Sequence, residues 1–260
     1  METELYLDYN TVIHRLDPRT KLILFLYAFI GLVLYEHPLW MLPIALLILL
    51  QTALARAWIN LWRLRYLLLL LTTWSLVLWN LFVGGDTPLF LFVSKESLLY
   101  SIARTMLVLL MIIAGVNLIS TTRNEELVLG LIKFGLPYRV GFALSTSLRL
   151  VPTTADSLQT IAQAQRSRGL DLESGNVIER LRKWLPLLIP VFITTIRSTN
   201  IFGMALESKG FGARPQRTFY LQTKMHTLDW ILLIVGGIIT LVALYLNFRG
   251  YGSIPGLHRF

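Results

Sequence analysis

An uninterrupted apolar stretch, YLLLLLTTWSLVLWNLFVGG at residues 66–85, decides the class of fold to which this chain belongs. It contains no charged residue, and Arg65 and Asp86 mark its two ends. Because a helix needs roughly 20 largely apolar residues to cross a bilayer, we expect this stretch to span a membrane. The composition agrees, since 55% of the 260 residues are hydrophobic and the mean hydropathy is +0.61. These values are too apolar for an ordinary soluble domain.

Four further apolar stretches predict additional spans, at residues 22–35, 38–55, 105–122 and 230–248. The first of these is short. It is expected to cross only if the charged ends of Arg19 and Lys21 reach the membrane surface. The sequence therefore predicts an all-α membrane protein with about five transmembrane helices.

The basic residues gather in alternate connections between these stretches. The segment 123–228 carries 14 of the 24 Lys and Arg residues, and residues 1–21 and 56–65 carry three each. Because cytoplasmic loops of membrane proteins collect Lys and Arg, this distribution predicts a cytoplasmic N-terminus. It also explains the net charge of +9 without a nucleic-acid partner. No cleavable signal peptide is expected, since the first 20 residues are polar and charged.

The predicted chain has three parts. Residues 1–122 form a membrane region with four spans, residues 123–228 form a cytoplasmic region of amphipathic helices, and residues 229–260 form the last span and a tail. One apolar run inside the second part, at 184–196, is only 13 residues long and contains Pro186 and Pro190. Because cations flank it on both sides, we predict a buried or interfacial helix there rather than a sixth span.

Three helices are predicted within the segment 123–228. Asn124 is expected to cap the first, which ends at Gly135. The second runs from about residue 140 to 167, where apolar residues recur with the 3.6-residue period of a helix. The third runs from about residue 177 to 209.

The two long helices end in similar sequences, Ser167-Arg168-Gly169 and Ser208-Lys209-Gly210. A glycine commonly ends a helix, and a cation in the last turn complements the helix dipole. Taken singly, each sequence is explained as an ordinary capped helix end. Two such ends on one side of a membrane favour a role in gripping a partner. The guanidinium at position 168 suits that role better than an ammonium, because its planar fork makes bidentate bonds to carboxylates.

Several kinds of chemistry find no support in the sequence. The chain has no cysteine, which excludes disulfides and thiol chemistry, and its four histidines are scattered. No GxxxxGK[ST] phosphate-binding loop is present, and no carboxylate lies within the five uncharged stretches. We therefore expect no catalytic residue, no metal site and no cofactor in this chain.

At the N-terminus, Leu16-Asp17-Pro18-Arg19-Thr20-Lys21-Leu22 precedes the first predicted span. From the residues alone, Asp17-Pro18 begins a helix and the two cations lie at the membrane interface. The heptapeptide closely resembles the signature of the transmembrane T component of energy-coupling factor (ECF) transporters, the family that includes the cobalt-transport permease subunit. We refer to it below as the signature.

The rest of the chain fits the same resemblance. In that family the cytoplasmic coupling helices end in two Ala-Arg-Gly motifs, and the sequences ending at Gly169 and Gly210 fall where those motifs belong. Serine replaces the alanine of both motifs, which is a small change. Lys209 replaces the second arginine, which keeps the charge but loses the planar fork.

The resemblance implies a scaffold subunit of an importer in a prokaryotic cell membrane. Two cytoplasmic ABC-type ATPase subunits would each receive one motif, and a separate membrane-embedded S component would rest on the coupling helices. ATP and Mg²⁺ would be held by the ATPase subunits and not by this chain. The S component would choose the cargo, which in this family is a vitamin or a transition-metal ion.

Two other functions have less support in the sequence. A membrane-embedded enzyme acting on lipids would need clustered Asp, His or Asn side chains at the membrane interface, and the sequence shows no such cluster. A stand-alone secondary carrier would need inverted repeats and polar groups at mid-span, which the five uncharged stretches do not provide.

Overall fold

The computed structural model describes residues 6–90, 93–171, 174, 176–213, 224–254 and 257–259. Within these residues the helices are α1 Pro18–Leu34, α2 Pro38–Ala55, α3 Trp58–Arg63, α4 Arg65–Phe82, α5 Lys95–Thr121, α6 Asn124–Lys133, α7 Tyr138–Ser167, α8 Val177–Ser208 and α9 Thr227–Phe248. The short strands are β1 Val83–Gly85, β2 Pro88–Phe90, β3 Val93–Ser94 and β4 Leu257–Arg259. They form two antiparallel pairs, β1 with β4 and β2 with β3. The protein is an all-α membrane protein, as predicted.

Five of the described helices are long and apolar enough to cross a membrane: α2, α4, α5, α8 over Ile178–Ser208, and α9. The number of candidate spans agrees with the prediction, but the set of helices differs, because it includes α8 and not α1. The helix predicted as the first span, α1, has 17 residues. It rises about 26 Å, somewhat less than the roughly 30 Å of a hydrocarbon core. The helix α8 includes the run 184–196 and continues through Pro186 and Pro190, and the prediction that this run does not cross stays a prediction.

The helices that contain two of the predicted spans have different boundaries from those spans. α4 ends at Phe82, and the following Val-Gly-Gly forms β1 instead of continuing the helix to residue 85. α5 begins at Lys95, well before residue 105, because the Ser94 hydroxyl oxygen caps the helix by accepting a hydrogen bond from the Ser97 N–H at 3.1 Å. Arg104 therefore lies inside α5 and does not mark its end.

The start of α6 also differs from the prediction. Asn124 is the first helical residue, and Arg123 occupies the capping position with an extended backbone. The carbonyl of Arg123 accepts the first helical hydrogen bond, from the Leu127 N–H at 3.0 Å. The guanidinium of Arg123 lies 3.1 Å from the Asp8 carboxylate.

The chain divides into two compact units, Met1–Pro137 with Thr223–Phe260, and Tyr138–Gln222. In the first unit, which we call the membrane unit, α5 packs against α4, α2 and α1, and α1 packs along α9. Hydrogen bonds join neighbouring helices inside it: the Asn117 amide donates to the Thr52 hydroxyl at 2.8 Å, and the Thr105 hydroxyl donates to the Ser75 hydroxyl at 3.0 Å. Such bonds between transmembrane helices contribute about 0.6–2 kcal/mol each.

The second unit, which we call the hairpin unit, consists mainly of α7 and α8, which pack against each other. The ring of Phe211, just beyond the end of α8, lies 4.4 Å from the ring of Phe142 and 6.2 Å from that of Tyr138, measured between centroids. The end of α8 therefore meets the start of α7, and the two helices form an antiparallel hairpin.

Candidate functional site

The first helix-end motif closes α7 with two specific backbone hydrogen bonds. The Gly169 N–H donates to the Arg166 carbonyl at 2.9 Å, and the Leu170 N–H donates to the Gln165 carbonyl at 3.0 Å. This pair of bonds defines a Schellman cap, in which the residue after the helix adopts a left-handed backbone. Gly169 has φ = +88°, as the cap requires. Arg168 is therefore the last residue before the backbone leaves the direction of α7.

The second motif closes α8 in the same way. The Gly210 N–H donates to the Glu207 carbonyl and the Phe211 N–H donates to the Leu206 carbonyl, both at 2.9 Å. Gly210 has φ = +70°. Lys209 thus occupies the position in its cap that Arg168 occupies in the first. The structure confirms that both predicted motifs are capped helix ends of equivalent geometry.

The cations and serines of both motifs are exposed. Among the described residues, the ion pairs join Arg19 with Asp17, Arg104 with Glu36, and Arg123 with Asp8, and none involves either motif. Both cations are therefore available to an acidic partner.

The two motifs lie at opposite ends of the hairpin unit. The second is next to Phe211, whose ring packs on Phe142 near the start of α7. The first lies beyond Ser167 at the far end of the same helix. At 1.5 Å per residue, the path along α7 from Phe142 to Ser167 is about 37 Å. Such a separation suits two separate partners better than one small ligand.

Both glycines are expected to be required for the cap geometry. Gly169→Ala should place a side chain at φ = +88°, where L-residues are strained by about 1–2 kcal/mol, although no other atom lies within 4 Å of the added Cβ. Amide exchange at Leu170, whose hydrogen bond closes the cap, should then speed up about tenfold. Gly203→Ala is the matched control, because Gly203 lies inside α8 with equally open surroundings. Unchanged exchange at Leu170 in the Gly169 variant would contradict the Schellman assignment.

An apolar stripe runs along the exposed surface of α8. It comprises Trp184, Leu185, Leu188, Ile189, Phe192, Ile193 and Ile196. The spacing repeats every three to four residues, so these side chains lie on one face of the helix. A contiguous exposed apolar face of this kind marks a contact with lipid or with a protein.

The signature forms the start of α1 in the membrane unit. Pro18 is the first helical residue, and the Asp17 carboxylate caps the helix by accepting a hydrogen bond from the Arg19 N–H at 3.0 Å. The Arg19 guanidinium nitrogen Nε lies 3.8 Å from the same carboxylate. Leu16 and Thr20 are buried, while Leu22 is half-buried. The predicted helix start at Asp17-Pro18 is confirmed.

Lys21 departs from its predicted place at the membrane interface. Its side chain is only 2% exposed. Its ammonium donates to the His14 carbonyl at 3.1 Å and to the Thr121 carbonyl, at the end of α5, at 2.7 Å. The prediction was wrong because two backbone carbonyls and the acidic side chains nearby offer the ammonium partners inside the protein. Burial lowers the pKa of His14 below its ordinary value of 6.5, which favours an uncharged ring beside this ammonium.

Asp229 also contacts the signature, and the sequence analysis did not predict this contact. It lies in the first turn of α9 and is fully buried. One carboxylate oxygen accepts from the Asp17 N–H at 3.0 Å and the other from the His226 N–H at 2.7 Å. The only local signal was an acidic residue three positions after the capping residue His226, which is the spacing of a capping box.

The helix α6 also packs against the start of α1. A Cβ placed on Gly130 would lie 3.2 Å from the Pro18 Cβ and 3.7 Å from the Arg19 backbone nitrogen. The lack of a side chain at Gly130 therefore allows α6 to lie directly against the signature. The signature therefore contacts both α6, the last helix before the hairpin unit in sequence, and α9, the first helix after it. We call the signature together with Asp229 and Thr121 the buried cluster.

Metal chemistry finds no support in the described part of the chain. No group of three or more His, Asp or Glu side chains among those residues is arranged to hold a metal ion. The described residues instead provide two exposed cationic helix ends, on α7 and α8, and one apolar face on α8. The buried cluster contacts α6 and α9, which precede and follow these two helices in the sequence.

Comparison with known proteins gives a consistent result. Residues 9–220 match the model of the family described as "Cobalt transport protein" (CbiQ). The matched region includes the signature and both helix-end motifs.

Curated relatives match most of the chain. An energy-coupling factor transporter transmembrane protein EcfT of Staphylococcus aureus is 31% identical over 94% of this chain and 96% of the relative. The corresponding protein of Lactococcus lactis is 30% identical over 88% of this chain and 91% of the relative. The EcfT protein of Thermosediminibacter oceani is 30% identical over 94% of this chain and 96% of the relative.

Proposed function

Because the chain belongs to the cobalt transport protein (CbiQ) family of ECF transporter T components, we propose that it couples two ABC-type ATPase subunits to a membrane-embedded S component. The chain is a multi-pass transmembrane component of such a transporter. In this proposal the ATPase subunits hydrolyse ATP, and this subunit transmits their movement. Its relatives are transporter membrane subunits, which supports a non-enzymatic role over a lipid-modifying enzyme.

The observation that carries the proposal is the equivalence of the two helix ends. Each presents an exposed cation immediately before a left-handed glycine, and they lie at opposite ends of α7. Each ATPase subunit would receive one helix end in an acidic groove. Arg168 would make a bidentate contact with a carboxylate there, whereas Lys209 would contribute a point charge.

The apolar stripe of α8 supports the second half of the proposal. A substrate-binding membrane protein presents an apolar surface, which an exposed stripe of leucine, isoleucine and aromatic side chains would bury. Movement of the hairpin unit would then reorient the S component. Its cargo would be a vitamin or a transition-metal ion, selected by the S component.

The distribution of charges supports one orientation of the chain in the membrane. The segment that carries both motifs also carries most of the basic residues, and cytoplasmic loops collect such residues. We therefore place the N-terminus and both motifs in the cytoplasm, where the ATPases would be found.

The proposal is tested by mass spectrometry of the native protein purified in a mild detergent. We expect two copies of ABC-type ATPase subunits and one small membrane protein to co-purify with it. A protein that purifies alone, although its source cells express those subunits, would overturn the proposal. Recovery of ATPases without a membrane partner would overturn the part that concerns the S component.

A further inference from the structure

The connection between α2 and α4 carries a cluster of cationic and aromatic side chains at the surface of the membrane unit. It comprises Arg56, Trp58, Trp62, Arg63, Arg65 and Tyr66, which we call the Trp–Arg surface. No Asp or Glu occurs between residues 38 and 85. Among the described residues, no carboxylate forms an ion pair with these arginines. The positive charge of this surface is therefore not neutralised within the described part of the chain.

Arg65 is held between two aromatic rings. Its guanidinium carbon lies 4.6 Å from the centroid of the Trp62 ring and 4.7 Å from that of Tyr66. One guanidinium nitrogen also donates to the Tyr66 hydroxyl at 3.1 Å. Because an arginine has five N–H donors, this contact fixes the side chain and still leaves donors for a ligand. Both rings are largely exposed, Trp62 at 70% and Tyr66 at 71%.

The opposite face of the connection is fixed to the membrane unit. Asn60 is fully buried, and its amide donates to the Ser120 hydroxyl near the end of α5 at 2.7 Å. Leu61 and Ala57 are buried as well. The short helix α3 therefore has one anchored face, while Trp58 and Trp62 project from the other. The outward surface is a rigid part of the fold.

The position of this surface along the chain places it at a membrane boundary. α2 ends at Ala55 and α4 begins at Arg65, and both helices are long and apolar enough to cross. Tryptophan and tyrosine favour the headgroup level of a bilayer, and arginines there attract anionic lipids. Exposed leucines on the next turns of α4, Leu69 and Leu70, continue the surface toward the hydrocarbon.

We propose that the Trp–Arg surface binds the headgroup of an anionic phospholipid. The lipid phosphate accepts hydrogen bonds from the guanidinium of Arg65, while the neighbouring Arg56 and Arg63 add positive charge. The exposed rings of Trp58 and Trp62 pack against the glycerol region. An acidic segment of a protein would satisfy the arginines but not the leucines of α4 that face the hydrocarbon, so the observations favour a lipid. This inference does not depend on the function proposed above.

The test uses the delipidated full chain in detergent, with phosphatidylglycerol and phosphatidylcholine of identical acyl chains as probes. Native mass spectrometry should show a preference of several-fold for phosphatidylglycerol. Arg65→Gln should reduce that preference about fivefold, the value expected for one cation at an anionic surface. Arg249→Gln is the matched control, because Arg249 also stacks on a tyrosine, Tyr245, at the end of α9. We expect the control to retain the wild-type preference.

A second measurement needs no variant. Raising the salt concentration from about 50 mM to about 500 mM should weaken the preference of the wild-type chain, because exposed charges are screened. Equal binding of the two lipids, or an unchanged preference in Arg65→Gln, would overturn the proposal. Loss of a co-purifying protein from the variant, with lipid preference intact, would show a protein contact in its place and would also overturn it.

Discussion

Arg168→Glu is expected to abolish co-purification of the ATPase subunits while the chain still inserts in the membrane. Reversing a charge that pairs with a carboxylate in a desolvated groove costs about 2–5 kcal/mol or more. Lys209→Glu should weaken assembly by less, since an ammonium makes no bidentate contact. Both variants would be co-expressed with the ATPase subunits and recovered by affinity purification from solubilised membranes.

Arg149→Glu provides the control for this experiment. Arg149 is an exposed cation on the same helix, away from its end, so its reversal changes the net charge equally. We expect that variant to assemble as the wild type does. Lys209→Arg, which restores the residue typical of the family, should assemble at least as well as the wild type. Unchanged assembly in both glutamate variants would refute the proposed contact.

Asp229→Ala is expected to destabilise the membrane unit by about 1–3 kcal/mol, because it leaves two backbone N–H groups, one of them buried, without acceptors. Those groups belong to Asp17 and His226. Asp229→Asn keeps one amide oxygen as an acceptor and should cost less. The measurement is reversible thermal or denaturant unfolding of the purified protein in detergent.

Asp156→Ala is a suitable control for the stability measurement. Asp156 is exposed on α7, and substitutions of such surface residues usually change stability by no more than about 0.5 kcal/mol. Equal stability of the Asp229→Ala variant and the wild type would show that the buried cluster does not stabilise the fold. Lys21→Met, which removes the ammonium that bonds to two carbonyls, offers an independent check and should destabilise the protein as well.

The sequence predicted the helix ends well because their signals are local. A helical period followed by a cation and a glycine specifies a capped end, and Gly169 and Gly210 both adopt the left-handed backbone that the pattern predicts. The end of α4 was harder to predict, since Val-Gly-Gly after an apolar run is also compatible with a helix that continues. Its pairing partner, β4, lies at the other end of the chain.

The buried cluster could not be predicted for a similar reason. Asp229 and Asp17 are separated by 212 positions, and no local pattern shows that they will meet. Lys21 was expected at the membrane interface because a lysine beside an apolar stretch usually extends to water. Only the fold shows that the carbonyls of His14 and Thr121 are closer partners.

The contacts of the signature have a consequence for how a change at the start of α1 spreads through the membrane unit. The chain leaves the membrane unit after Pro137 and re-enters it at Thr223, and the helices on either side, α6 and α9, both rest on the start of α1. The hairpin unit is thus inserted in the sequence between two helices, α6 and α9, that contact the same buried part of the membrane unit. A substitution that displaces the start of α1 would therefore loosen α6 and α9 together, although these helices lie about 100 positions apart in the sequence.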